Sequence, residues 1–147
     1  MTRTDEIIQI GQITIRFLLE GKDTNEQSAM FEFIVPSGAK VPLPHYHLHY
    51  DEIIYGVEGV ITFEIEGKHH EVAPGQICFI NRGAVHGFQN LSNLTAKALS
   101  IVTPAAIGPQ FFKESAEIVN AGGPPDMEKM KIIFEKYGIV PSFPKKL

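Results

Sequence analysis

The chain has 147 residues, a length that matches one domain with a single core. Its 13 basic and 17 acidic residues give a formal charge of −4, and no basic cluster exists beyond the Lys145–Lys146 pair. Nucleic acids and membrane surfaces are therefore not expected as partners. The start lacks an apolar signal segment and no apolar run is long enough to cross a bilayer, so we expect a soluble, cytoplasmic protein.

From about residue 6 to residue 103, short apolar or alternating runs are separated by turn residues, which is typical of an all-β sandwich or barrel. The clearest strand covers residues 61–66, where Ile61, Phe63 and Ile65 share one face. Gly67 and Lys68 are expected to form the two-residue hairpin turn that follows. In chain order, the expected strands are 12–19, 28–35, 61–66, 69–73, 76–80, 85–90 and 95–102.

After residue 104 the pattern changes to a helical one. Pro109 is expected to begin a helix that runs to about Asn120, Asp126 to cap a second helix, and Gly138 to follow its end. We assign residues 1–104 to a β-barrel and 105–147 to a helical extension packed on it within the same domain. The Met and aromatic residues of the second helix are interpreted as core packing.

Three histidines and one carboxylate between residues 38 and 90 carry the chemistry. His45 and His47 are two apart, so on an extended segment both imidazoles leave the same face with Cα atoms roughly 6.6 Å apart. Glu52 is an odd number of residues beyond His47, so it joins them only if the chain bends within residues 48–51. His86 returns to the same place only if the intervening strands wrap back, which spacing alone does not establish.

The residues around these four resemble the two motifs of the cupin superfamily, in particular its small, single-domain, quercetinase-like members. The first motif, Gly-x5-His-x-His-x3 or 4-Glu-x6-Gly, is matched by Gly38, His45, His47, Glu52 and Gly59, with six residues instead of five before His45. The second, Gly-x5-Pro-x-Gly-x2-His-x3-Asn, is matched by Gly75, Gly83, His86 and Asn90, with Asn81 at the proline position. Neither departure touches a ligand position.

The resemblance implies a double-stranded β-helix, or jelly-roll barrel, with a C-terminal helical tail. It also implies that His45, His47, Glu52 and His86 bind one divalent metal ion per chain and that the protein is a homodimer. Three imidazoles and a carboxylate suit Fe, Mn, Ni, Co or Zn. Glu52 is the expected catalytic base for a substrate hydroxyl. Because histidine ligands must be neutral, metal affinity is expected to fall below about pH 6.

A small-molecule pocket is expected beside the metal. His49 repeats the two-residue spacing but lies too close to Glu52 for the cupin motif, so it is interpreted as lining the pocket. The aromatic residues expected there are Tyr55, Phe79, Phe88, Phe111 and Phe112, with ordinary core packing as the alternative for each.

Three functions remain open from the sequence. The first is a metal-dependent dioxygenase acting on a small, partly apolar aromatic or enol/diol substrate. The second is an isomerase, cyclase or lyase that uses the ion as a Lewis acid. The third is a non-catalytic cupin that binds a small molecule.

Overall fold

The structure, a computed structural model, describes residues 5–41 and 43–142. The Lys145–Lys146 pair lies outside these residues. So do residue 1, where the expected β-barrel begins, and residue 147, where the expected helical extension ends. The described residues form eleven strands and two α-helices. The strands are β1 Glu6–Ile10, β2 Ile13–Leu19, β3 Ala29–Val35, β4 His45–His47, β5 Asp51–Glu58, β6 Ile61–Ile65, β7 Lys68–Val72, β8 Ile77–Ile80, β9 His86–Gln89, β10 Ala96–Thr103 and β11 Ile139–Pro141; the helices are α1 Pro109–Val119 and α2 Met127–Lys136.

Two sheets face each other. The first has six strands in the order β1-β2-β3-β10-β5-β8, and the second has five in the order β11-β4-β9-β6-β7. Every strand pairing within them is antiparallel. This architecture, with two short C-terminal helices, confirms the expected all-β jelly-roll fold. The structure describes one chain, so the homodimer stays a prediction.

The core lies between the sheets because the strands alternate inward and outward residues. In β3 and β10 every second side chain is buried. Phenylalanine rings fill much of the interior: Phe17 stacks on Phe31 at 5.4 Å, and Phe33 lies 6.3 Å from Phe63 on the other sheet. The aromatic contacts therefore join the two layers.

The β6–β7 hairpin turns one residue earlier than the sequence predicts. Ile65 pairs with Lys68, so the two turn residues are Glu66 and Gly67, with φ of 50° and 78°. Two successive positive φ values define a type I′ turn, whose twist suits a hairpin. The prediction of Gly67 and Lys68 was wrong because it gave the glycine the first turn position instead of the second.

Both expected helices are present. Pro109 occupies the first turn of α1, and the Asp126 carboxylate caps α2 by accepting bonds from the Glu128 and Lys129 amides at 3.1 and 3.2 Å. Gly138 follows α2 with φ +69°. Phe112 of α1 packs 4.9 Å from Phe31, so the helical segment shares the barrel core. In the described part of the chain, neither helix has the length and apolarity that a membrane span requires.

The short strand β11 was not expected. Gly138 reverses the chain after α2, and the following residues pair with β4: Ile139 with His47, Val140 with Tyr46 and Pro141 with His45. Pro141 fits here because β11 is an edge strand. The tail thereby covers the outer edge of the strand that carries two of the motif histidines.

Gly59 and Gly75 are both motif glycines. Comparing alanine substitutions at the two positions separates the cost of close packing from the cost of a positive φ. Both have positive φ, but a Cβ on Gly59 would lie 2.8 Å from the Thr95 carbonyl oxygen, whereas one on Gly75 would meet nothing within 4 Å. We expect Gly75→Ala to lower the free energy of unfolding by about 1–2 kcal/mol, the cost of the left-handed backbone. Gly59→Ala should cost a further ~1–3 kcal/mol from crowding. Urea unfolding measures both, and equal losses would contradict the role of close packing.

Candidate metal centre

The three motif histidines come from neighbouring strands of the five-stranded sheet. His45 and His47 leave the same face of β4, and His86, the first residue of β9, pairs directly with His45. The ring centroids are 5.2 Å apart for His45 and His47, and 4.7 and 4.6 Å from each of these to His86. One ring nitrogen from each lies within 4.8 Å of the others. These three residues form a group that can hold a metal ion.

Glu52 approaches the histidines from the opposite sheet. The chain leaves β4 at His47, crosses through residues 48–50 and enters β5, so the bend that the residue spacing demands is present. One carboxylate oxygen, Oε1, lies 4.0 Å from His47 Nδ1 and 3.8 Å from His86 Nε2. The other, Oε2, accepts a 2.5 Å hydrogen bond from Ser100 Oγ. Glu52 therefore faces the histidines while standing beside their tight group.

Hydrogen bonds from two of the histidines leave a nitrogen free for an ion. His45 Nδ1 donates to the Leu43 carbonyl at 3.0 Å, and His86 Nδ1 donates to the Ala84 carbonyl at 2.9 Å. A carbonyl can only accept, so Nδ1 carries the proton in both rings and Nε2 keeps its lone pair. Backbone bonds of this kind also hold the rings of metal-binding histidines in orientation.

His47 supplies the strongest sign that the donor set fits a metal. Its side chain is buried and stacks on Tyr50 at 4.1 Å, yet its Nδ1 has no hydrogen-bond partner. A buried polar atom without a partner costs free energy. Because this nitrogen faces Glu52 and stands beside the other two histidines, a bound cation would satisfy it.

Burial sets the protonation of the site. It lowers the pKa of His45 to about 4 and that of His47 to about 2, and His86 acts in the same direction on both. The pKa of His86 is also lowered by burial. Burial raises the pKa of Glu52, and the Ser100 hydrogen bond opposes that shift. All three imidazoles are thus neutral at neutral pH, the form that binds a metal.

A cavity of about 370 Å³ extends from these donors between the sheets and the helices. Its wall is mostly apolar, with residues from β2, β3, β6, β9, α1 and α2. The side chains along it include Ile13, Ile15, Phe31, Phe33, Phe63, Phe88, Phe111, Phe112, Met130 and Phe134. Its size falls in the range that takes a small organic ligand.

The predicted pocket residues divide into two groups. Phe88, Phe111 and Phe112 line the cavity. Tyr55 and Phe79 do not: they are 44% and 55% exposed on the outer face of the six-stranded sheet, since the inward positions are taken by Ile54 and Ile80.

His49 also lies away from the cavity. It is exposed in the crossing between β4 and β5, with its ring against Gly138, where a Cβ would come within 2.7 Å of His49 Cδ2. The structure therefore corrects the placement of His49 as well as of Tyr55 and Phe79.

Several residues at the site were not predicted. Ser100 bonds Glu52, Tyr50 stacks on His47, and Met130 and Phe134 of α2 line the cavity in addition to packing in the core. Ser100 left a signal in the sequence, because it is the one polar residue on the buried face of β10, among Ala96, Ala98 and Val102. No sequence pattern indicates the position of Tyr50, since it lies between strands.

Comparison with known proteins agrees with the fold and the motifs. Residues 31–102 match the family model described as a cupin domain. Together with the two facing sheets and the three clustered histidines, this match shows that the chain belongs to the cupin superfamily.

Relatives with curated names carry different functions. The chain is 28% identical over 83 residues to the "Tetracenomycin polyketide synthase protein TcmJ" of Streptomyces glaucescens, covering 55% of this chain and 56% of that protein. It is 27% identical over 93 residues to the "Oxalate-binding protein" of Thermotoga maritima, covering 63% and 76%. The chain thus spans little more than half of the first of these relatives.

Solved structures of other proteins are also similar to this chain. A sugar phosphate isomerase from a cupin superfamily, of Silicibacter pomeroyi, aligns with a TM-score of 0.52 and 26% identity over 60% of this chain and 59% of that one. A predicted oxalate decarboxylase of Thermotoga maritima aligns with a TM-score of 0.61 and 24% identity over 69% and 92%. At this identity the second similarity supports the fold alone.

Removing one histidine should release the ion without unfolding the barrel. We expect His86→Ala to weaken Zn(II) affinity at least about 100-fold, because a ligand loss exceeds the effect of losing an outer partner. Titration with Zn(II) measures the affinity, and near-ultraviolet circular dichroism checks the fold. His70→Ala, at an exposed position on β7, is the matched control and should bind as the wild type does. Unchanged affinity in His86→Ala would refute the assignment.

The lowered histidine pKa values move the acid limit of metal binding below the pH 6 expected from ordinary histidines. Protons compete with the ion at His45 only near pH 4, whereas the raised pKa of Glu52 lets protons compete there at higher pH. We expect Zn(II) affinity of Glu52→Gln to change less than about threefold between pH 7.5 and 5.5. In the wild type the decline should begin at a higher pH than in this variant. If Zn(II) affinity depends on pH in the same way in the wild type and in Glu52→Gln, Glu52 is not a ligand of the ion.

Proposed function

We propose that this protein is a metal-dependent enzyme that oxygenates a small, largely apolar substrate carrying an aromatic or enol/diol oxygen pair. One observation carries the proposal: a mostly apolar cavity is lined by three clustered histidines and by Glu52, which faces two of them. Such a site can hold an apolar body in the cavity while the oxygen pair meets the metal donors.

His45, His47, His86 and Glu52 are the residues that would hold the ion. When bound, an Fe, Mn, Ni or Co ion supplies Lewis acidity toward the substrate oxygens and, where its redox state allows, access to dioxygen chemistry.

Glu52 is the proposed base. A buried carboxylate with a raised pKa accepts a proton more readily near neutral pH than an ordinary glutamate does. Its Oε2 is fixed by Ser100, which leaves Oε1, the oxygen that faces His47 and His86, to receive a substrate hydroxyl proton. The substrate oxygen would thereby become an anion beside the metal donors.

The cavity wall supports an apolar substrate over a charged one. Among the described residues that line it, Lys40 is the only lysine or arginine, and Lys40 is exposed. A phosphate or a dicarboxylate held beside the metal donors would lack a cationic side chain as a partner, and burying such a charge is costly. This disfavours sugar phosphates and oxalate, the ligands named for two of the similar proteins.

A redox-neutral reaction is the second candidate. The similarity to a tetracenomycin polyketide synthase protein favours a polyketide-type substrate with several neighbouring oxygens. Glu52 would then remove a proton to form an enolate that closes a ring or isomerises, with no oxygen consumed. The substrate class is the same as in the first candidate; the reaction differs.

Oxygen consumption separates the two candidates. Protein purified without added metal should contain Fe, Mn, Ni or Co near one per chain and should consume oxygen with catechols or flavonols. Zinc-loaded protein that converts an aromatic polyketide equally well without oxygen would favour the second candidate. Absence of bound metal even after reconstitution would overturn both.

Substitution of Glu52 tests the base. At saturating metal, we expect Glu52→Gln to lower kcat by about 100-fold or more while substrate Kd changes little, because proton transfer is lost and the cavity wall is intact. Stopped-flow turnover and binding titration measure the two quantities. Glu64→Gln, an exposed carboxylate on β6, is the matched control. Turnover of Glu52→Gln within twofold of the wild type would remove Glu52 from the mechanism.

A further inference from the structure

Two residues that line the cavity each carry a buried polar atom without a hydrogen-bond partner. In the described part of the chain, four buried side-chain atoms have no partner, and two of these belong to residues that line the cavity. One is His47 Nδ1, at the metal donors. The other is Ser115 Oγ, on α1. The cavity thus has a second polar position besides the donor cluster.

Ser115 lies along α1 between lining residues near the metal donors and lining residues at the surface. At the donor end, the ring of His45 is 6.0 Å from Phe134, which is 6.1 Å from Phe111 on α1. Ser115 is one helical turn beyond Phe111, a rise of roughly 6 Å. Val119, another turn on, also lines the cavity and lies beside the exposed Gly11. The lining therefore follows α1 from Phe111 to Val119, with Ser115 between them.

The Ser115 hydroxyl makes no hydrogen bond within the described part of the chain. The side chain is only 4% exposed, and its neighbours along the cavity are phenylalanine and aliphatic residues. A serine inside a helix commonly bonds the carbonyl one turn before it, but Ser115 Oγ makes no such bond. Leaving a buried hydroxyl unpaired costs free energy that an alanine would avoid. Because Ser115 lines the cavity, rotation of its side chain about χ1 would present this hydroxyl to a cavity occupant.

We propose that Ser115 is a specificity-determining residue whose hydroxyl bonds a neutral oxygen on the part of the substrate remote from the metal donors. This rests on the proposed function, since it takes the other end of the substrate to be held at the histidines. It narrows the substrate to an elongated apolar molecule, of one or more aromatic rings, with an oxygen pair at one end and a separate hydroxyl or carbonyl farther along.

A neutral oxygen is the partner that the surroundings favour. A hydroxyl both donates and accepts, so it can bond a phenol or a carbonyl equally. A carboxylate beside Ser115 would be buried among apolar side chains, and the one lysine or arginine among the described lining residues, Lys40, is exposed to solvent.

Matched flavonols test the proposal. The probes are 3-hydroxyflavone and its three derivatives with one added hydroxyl at position 2′, 3′ or 4′ of the remote ring, titrated into the full Zn(II)-loaded chain. At least one derivative should bind about 3- to 10-fold more tightly than the parent, the gain typical of one hydrogen bond. Ser115→Ala should bring this ratio to about one, and Ser115→Thr, which keeps the hydroxyl, should preserve it. Glu117→Ala, on the exposed face of α1, is the control and should leave the ratio unchanged.

Thermal stability gives a second readout. If the Ser115 hydroxyl had a purely structural role, its removal would lower Tm, whereas the proposal expects no decrease. With no ligand or metal bound, Ser115→Ala should leave Tm unchanged or raise it by about 2–4 °C, because an unpaired buried hydroxyl is removed. A fall of several degrees would show that the hydroxyl has a partner within the protein and would overturn the proposal.

The outcomes separate the two proposals. Equal binding of the parent and all three derivatives, or a preference that survives in Ser115→Ala, overturns the role of Ser115 and leaves the proposed function standing. A preference lost in Ser115→Ala, together with no oxygen consumption by the Fe-, Mn-, Ni- or Co-loaded wild type, supports Ser115 and counts against the oxygenase. Failure of every probe to bind the metal-loaded chain overturns both.

Discussion

The site depends on one crossing of the chain between the two sheets. His47 ends β4 in the five-stranded sheet, and after three intervening residues β5 begins at Asp51 in the six-stranded sheet. Tyr50, 1% exposed, anchors the crossing by stacking on His47. On a continuous strand Glu52 would point away from the histidines. The crossing turns it to face them, so the donors lie between the sheets and away from water.

Burial of these donors is costly and useful for the same reason. Taking imidazoles and a carboxylate out of water destabilises the fold unless partners replace the water. The Leu43 and Ala84 carbonyls and the Ser100 hydroxyl replace part of it, and His47 Nδ1 is left without a partner. Yet the same burial keeps the histidines neutral and therefore ready to bind a cation. The metal-free fold carries a cost that a bound ion would remove, so metal binding should couple to stability.

The alternating strand pattern predicts the all-β fold, whereas the complete donor set came from the resemblance to the cupin motifs, because spacing alone does not return His86 to the site. Two histidines two apart, and the odd separation of Glu52, already require the bend that the structure has. Outward and inward aromatic residues were harder to separate, since β5 is apolar on both faces: Ile53 and Tyr55 point out and Ile54 points in. The β6–β7 turn depends on a distant contact. Glu66 adopts a positive φ while bonded to Val85, 19 residues away, through both its backbone and its carboxylate.

The cavity wall has two parts that differ in what a substitution would cost. Phe31, Phe33 and Phe88 belong to the main core, where they join the sheets, so shortening one of them would cost about 3–5 kcal/mol. Phe111, Met130 and Phe134 belong to a smaller cluster between the helices and β11. Changes there alter the shape of the cavity without separating the sheets. A residue that selects the substrate is therefore better placed on the helical side of the cavity, where Ser115 lies, than on the strands that hold the barrel together.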